Sequence, residues 1–332
     1  MKAFSIIAAL LGVAAIAVLV AVFGAASVAR SLESVGWGGF AAICVFHLGL
    51  IAVMGIAWRG LVPRTPGWAF VWARLVREAG SEVLPLSPVG GCVIGARALS
   101  LAGIGAAIAA GSTIVDLTLE FLAKLGYTAL ALILLISLRP GSALALPLTL
   151  GLVVASLAAI AFVAVQQRRM RMFDRLAHRL GRGWAERAAA GAAALHEALL
   201  RIYARRSRLW VGFSLHLGCW IAGTFEAWLA LHLAGAGLPF ATVLVIESLL
   251  YAVRTFAFAV PNAVGVQEAA YVLIGASFGL TPEMALALSL LKRARDVTIG
   301  LPALCAWQIV EGGRRWRRPR RPAVRIASPP SC

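Results

Sequence analysis

Apolar stretches long enough to cross a lipid bilayer recur along almost the whole chain, and no other feature narrows its fold so far. A helix needs about 20 consecutive apolar residues to cover the ~30 Å hydrocarbon core. Such runs lie at 4–29, 38–57, 99–120, 121–138, 144–165, 209–234, 240–260 and 284–310. Of the 332 residues, 61% are hydrophobic and 14% charged, whereas soluble domains carry about 25% charged residues. Lipid therefore takes the place of part of a buried core. Lys2 followed by apolar Phe4–Ala29 resembles a secretion signal. The stretch exceeds the roughly 7–15 residues of a signal's apolar core, so it reads as a retained first helix.

Two further stretches, 82–98 and 262–280, are apolar but interrupted by Pro and Gly. Irregular backbone at membrane depth survives only where protein or a water-filled cavity surrounds it, so both read as re-entrant or broken helices. The fold expected is an all-α polytopic membrane helical bundle of about eight transmembrane helices, with two such breaks and an inverted repeat. Residues 1–312 form the membrane domain and 313–332 a basic, disordered tail.

The formal net charge of +17 is concentrated. Eleven Arg fall between Arg168 and Arg208, and seven more between Arg314 and Arg325. The loop 58–80 adds Arg59, Arg64, Arg74 and Arg77. Under the positive-inside rule these segments face the cytoplasm, and by parity so do both termini. An even number of crossings must then separate residues 80 and 166. Either 82–98 also crosses, or 99–138 is one long tilted helix. Within the 166–208 connection, Phe173, Leu176, Leu180 and Trp184 share one helix face, with Arg on the rest. This reads as an interfacial amphipathic helix, or else a soluble hairpin.

Ionisable side chains inside a membrane segment are costly and mark function. Arg77, Glu78, Ser81, Glu82 and Ser87 precede Arg97 around the breakers Pro85, Pro88, Gly90 and Gly91. Glu78 and Glu82, at i and i+4, share a helix face. Pro85 and Pro88 end that helix, and Gly90 and Gly91 allow a reversal before a second half-helix. Further on, Arg254, Asn262, Gln267 and Glu268 surround Pro261 and Gly265. Gly265 permits a new helix whose first turn holds Gln267 and Glu268, where an acid suits the helix dipole. Arg77…Pro85…Gly90 parallels Arg254…Pro261…Gly265, the pattern of a transporter site between two repeats. Asp116, Glu120 and Lys124 share one face as intramembrane ion-pair candidates, and Arg293 is spaced to pair with Asp296. Glu226 and Glu247 are isolated acids. The Cys and His spacings fit no metal site, and no motif for a catalytic nucleophile or P-loop is present. No catalytic residue, metal or cofactor is expected.

The run Leu84-Pro85…Gly90-Gly91 with Arg97, the run Pro261-Asn262…Gly265…Glu268, and Arg293 together resemble the transmembrane region of lysylphosphatidylglycerol synthases. The likeness covers most of residues 1–312 and lacks the soluble synthetase domain. The Arg-Glu-x-Gly-Ser-Glu-x-Leu-Pro-Leu-Ser-Pro run and the length are most similar to the hopanoid-biosynthesis branch. The resemblance implies a bacterial inner-membrane protein that acts as a lipid transporter or flippase without catalysis. In that reading Arg77, Arg97, Arg254 and Arg293 meet phosphate or polar head atoms, and Glu78, Glu82 and Glu268 balance charge, bind amines or carry a proton. The expected partners are membrane lipids, a hopanoid or a phospholipid, with anionic lipid headgroups at the basic loops and a second copy in a homodimer. No nucleic acid is expected. The alternatives are a membrane-embedded transferase acting on a lipid-linked substrate, an ion-coupled small-solute transporter, and a scaffold.

Overall fold

The computed structural model describes residues 25–83, 87–167, 184–257 and 260–317. Ten α-helices follow one another among them: α1 (Ala25–Leu61), α2 (Gly67–Val83), α3 (Ser87–Leu101), α4 (Ala106–Leu138), α5 (Ala145–Gln167), α6 (Trp184–Tyr203), α7 (Arg206–Leu233), α8 (Phe240–Phe256), α9 (Val266–Ala276) and α10 (Pro282–Arg317). A short 3-10 turn, Pro261–Ala263, stands between α8 and α9. The protein is a helical membrane bundle. Among the described residues, Glu33–Leu61, Ala106–Leu138 and Ala145–Gln167 are long and apolar enough to cross a membrane. The expected helix 4–29 lies outside the described residues except for its last turn. The same holds for the apolar face Phe173–Leu180 and for the tail after Arg317.

Of the two readings of 99–138, the single long helix is the one that forms, from Ala106 to Leu138. α4 runs for 33 residues. α4 and α5 thus supply two long crossings ahead of the 166–208 connection. Residues 58–80 are also not a basic loop. Arg59 and Arg64 are exposed near the turn between α1 and α2, but Arg74 and Arg77 lie on α2 with 4% exposure each. A charge count cannot tell a solvated arginine from one fastened to a carboxylate.

α2 and α3 form an antiparallel hairpin in which Gly91 faces Ser81 and Gly80 faces Ile94. At 17 and 15 residues they extend about 25 and 22 Å, each short of the ~30 Å core. This hairpin stands where the broken element was expected, around 82–98. Its details differ from expectation. Pro85 lies outside the described residues, but α3 begins at Ser87, so Pro88 sits in its first turn. Pro is tolerated there because that N–H has no intrahelical acceptor. Gly90 and Gly91 are therefore inside α3, not in a reversal. Gly91 serves close packing on α2.

The second half repeats the succession. α8 and α9 are short, at 17 and 11 residues, and α10 runs for 36. The break between α8 and α9 is tight. Asn262 and Ala263 adopt left-handed φ of 48° and 47°, and Gly265 follows at 81°. A side chain in that conformation costs about 1–2 kcal/mol. Gly265→Ala is accordingly expected to lower stability by about that amount, read as a fall in Tm in detergent micelles.

Of the two larger buried apolar cores, one lies within the first half and the other joins the second half to Val35 and Ile43 of α1, Leu135 of α4 and Leu148 of α5. Trp58, Phe70, Val76, Leu99, Val115 and Leu119 join α1 to α4, with Leu199 and Ile202 of α6 docked on them. Leu231, Ile246, Leu250, Tyr271, Leu286 and Leu288 join α7 to α10. α5 stands at the perimeter, with Leu150, Val154, Leu157 and Ile160 exposed as on a lipid-facing helix. α2 also packs against the Pro261–Ala263 turn, so the two broken elements meet.

Candidate functional site

Helical spacing places Arg74, Arg77 and Glu78 on neighbouring positions of α2, where they face the acids of α4. Arg74 Nη1 donates to Glu120 Oε2 at 2.6 Å, and Arg77 Nη1 to Asp116 Oδ2 at 2.7 Å. Arg77 Nη2 also bonds Glu120. Lys124 Nζ lies 3.2 Å from Glu120 Oε1, the pair within α4 that the i, i+4 spacing predicts. His216 of α7 reaches Asp116 at 3.0 Å. Beneath the cluster the Arg77 guanidinium stands 5.3 Å from the Trp58 ring. Charges at this depth persist because each carboxylate oxygen is met by a donor.

The second half assembles its own cluster at the break. Glu268, fully buried, caps the start of α9 by accepting from the Gly265 N–H at 2.8 Å. Arg293 of α10 grips both its oxygens, with Nη2 3.1 Å from Oε2 and Nε on Oε1. Arg293 also reaches the carbonyls of Asn262 and Ala263 at 3.4 Å. Ser289 donates to Glu268 at 3.0 Å, and Gln267 donates to Ser289 at 2.9 Å. Arg254, on the last turn of α8, bonds the Asn262 side chain at 3.0 Å. Nearby, Glu247 accepts from Tyr271 at 2.7 Å and from Lys292 at 2.5 Å.

A chain of polar contacts connects the halves. Glu78, on the other side of Arg74, touches His47 of α1, which touches Glu226 of α7. Glu226 is bound by Arg295 of α10, and Arg295 also donates to Asp296 at 2.6 Å. His47, Glu78, Ala79, Asp296 and Gly300 line a small cavity with room for about one or two waters.

Arg77, Glu78, Asp116 and Glu120 thus gather in one place, and Asn262, Gln267, Glu268 and Arg293 in another. Arg97 joins neither: it is about half exposed and pairs with Glu311 at 3.0 Å. Ser81 only bonds back to the Arg77 carbonyl. Glu82, Ser87 and Pro88 have side chains outside the described residues. The expected pairing of Arg293 with Asp296 does not form. Arg293 takes Glu268 and Asp296 takes Arg295, because partners on packed helices offer fuller contact than neighbours along one helix. Sequence reasoning missed Arg74, His47 and His216 as members of the network, whereas Arg295 stood out with Lys292, Arg293 and Asp296 as charges interrupting the last apolar run. Of the three missed, only Arg74 left a signal, its i, i+4 spacing to Glu78. Among the described residues no group of His, Cys, Asp and Glu is placed to hold a metal ion. The clusters offer forked cationic donors and carboxylate acceptors, which suits binding of phosphates, amines and hydroxyls.

The family model described as the lysylphosphatidylglycerol synthase TM region matches residues 5–303. Neither a curated protein nor a solved structure matches the chain.

Proposed function

Because the chain belongs to the lysylphosphatidylglycerol synthase TM region family, which relates it to lipid handling, we propose that it moves the polar head of a membrane lipid past the break between α8 and α9. The observation that carries this reading is the Glu268–Arg293 pair. A buried carboxylate and a guanidinium are held together at the turn between α8 and α9, beside Arg254. A lipid phosphate would take the cations and an amine or hydroxyl the carboxylate, while the tails stay in the bilayer. Arg suits this because its fork meets phosphate oxygens in pairs. The α2–α3 hairpin forms the opposite wall. The cargo is a phospholipid or a hopanoid, whose hydroxyls Glu268 would accept. The basic segments, including 166–208, lie against anionic headgroups on the cytoplasmic side of a bacterial inner membrane, where each cation adds about 1 kcal/mol of attraction.

The test is made in liposomes holding fluorescent phospholipids or a fluorescent hopanoid analogue, with dithionite quenching the outer leaflet. Wild-type protein is expected to expose inner-leaflet lipid quickly. Glu268→Gln and Arg254→Ala are expected to slow it about tenfold or more, the effect of about 1.4 kcal/mol in a barrier. Equal, slow loss in all three samples would remove lipid movement as the function.

A further inference from the structure

His47 touches a carboxylate with each ring nitrogen. Nε2 lies 3.3 Å from Glu78 Oε1 and Nδ1 lies 3.0 Å from Glu226 Oε2. A neutral imidazole has one N–H and one bare nitrogen, so it can donate to only one of two carboxylates. Both contacts become donating bonds only when one more proton is present. The two acids differ in access: the Glu78 side chain is 29% exposed and that of Glu226 is 3% exposed. Glu78 and His47 line the water-sized cavity, together with Asp296. The path thus runs from an open end to a closed one.

Every helix around His47 adds a charge. From α2, Arg74 holds Glu78 at 3.3 Å and is itself held by Glu120 of α4. From α10, Arg295 binds the other oxygen of Glu226 and also Asp296. Cys44, on α1 itself, lies within electrostatic reach of Glu226 and Arg295. Intramembrane carboxylates and histidines in series are the material of proton relays.

We propose that Glu78, His47 and Glu226 form a proton-binding relay that couples cargo movement to a proton gradient. This rests on the reading that the chain moves lipid. A water-borne proton adds to Glu78. Its O–H bond then breaks as His47 Nε2 gains the proton, and the Nδ1 proton passes to Glu226 Oε2. His47 ends neutral with its N–H on Nε2, and Glu226 loses its negative charge. Arg295 then keeps only Asp296 as a counter-charge. Two residues away on the same helix, Arg293 holds Glu268 at the second break, so α10 is where proton and cargo meet. Reversal of the hops returns the proton through Glu78 to water.

The experiment uses the full chain in liposomes loaded with pyranine, under an inward proton gradient with the potential clamped by valinomycin and potassium. Fluorescent-lipid movement is recorded in parallel. Proton entry is expected with wild type, and is expected to fall to the protein-free level with His47→Gln. Monodisperse elution of His47→Gln separates that loss from unfolding. Equal entry by wild type and His47→Gln, or no wild-type entry above protein-free vesicles, overturns the relay. Lipid movement without proton entry would overturn the relay and leave the lipid reading standing. Proton entry without lipid movement would keep the relay as a proton path and remove the cargo reading.

Discussion

Arg77→Ala is expected to lower the unfolding free energy by about 3–5 kcal/mol, the range seen when one partner of a buried ion pair is removed. Arg77 is 4% exposed and serves two carboxylates on α4, Asp116 and Glu120. Without it Asp116, fully buried, keeps only His216 and a distant Arg74 at 4.0 Å. The loss is mostly the cost of carboxylates left short of donors, so Arg77→Lys should recover only part of it. A single ammonium cannot repeat the fork that spans both acids. Replacing Arg77, Asp116 and Glu120 together by apolar residues of similar volume should cost less than Arg77→Ala alone, since no charge is then stranded. Arg97→Ala is the control, because its pair with Glu311 is half exposed and such pairs contribute about 1 kcal/mol or less. Unfolding in micelles with tryptophan fluorescence would measure all four. An Arg77→Ala value within about 1 kcal/mol of the control would mean that the cluster is not the fastening described here.

Gly91→Ala is expected to be nearly as damaging, for a steric reason. A Cβ at Gly91 would stand 2.0 Å from the Ser81 hydroxyl oxygen and 2.6 Å from the Arg77 carbonyl. The hydroxyl can turn away, but the carbonyl is backbone. The hairpin must therefore open, and overpacking of this kind costs about 1–3 kcal/mol, occasionally more. Opening also moves Arg77, so lipid movement should fall with stability. Gly80→Ala makes a useful contrast. Its new Cβ meets Ile94 Cδ1 at 2.6 Å, the tip of a side chain that can change rotamer. Adding Ser81→Ala to Gly91→Ala should recover only a fraction of the loss. If Gly91→Ala proves as stable as Gly80→Ala, α2 and α3 are not packed backbone to backbone.

Uninterrupted apolar runs were legible because hydrocarbon thickness alone defines them. The expected 144–165 and 209–234 became Ala145–Gln167 and Arg206–Leu233. Legibility fell wherever charges entered a run. Arg74 with Arg77 suggested a loop where α2 lies. The break at Gly265 was readable, since left-handed backbone calls for Gly and the first turn of a helix suits Glu268. Ion pairs within one helix follow from spacing, as for Glu120 and Lys124. Pairs between helices do not. Arg74 and Glu120 are 46 positions apart, and only packing of α2 on α4 brings them together. His47 and Glu226 are 179 apart. Each looked like an isolated polar residue, and its meaning came from the other.

The length of α4 has a consequence for the bilayer around the protein. At 33 residues the helix is about 50 Å long, well beyond a ~30 Å hydrocarbon core. It must lean or let its ends emerge, and the choice shifts with acyl-chain length, since mismatch is relieved by tilt at a modest cost per ångström. α4 does not lean alone. Asp116 and Glu120 tie it to α2, so a thinner or thicker membrane pulls on the hairpin that faces the second break. Lipid composition can thereby set how tightly the two halves pack against each other.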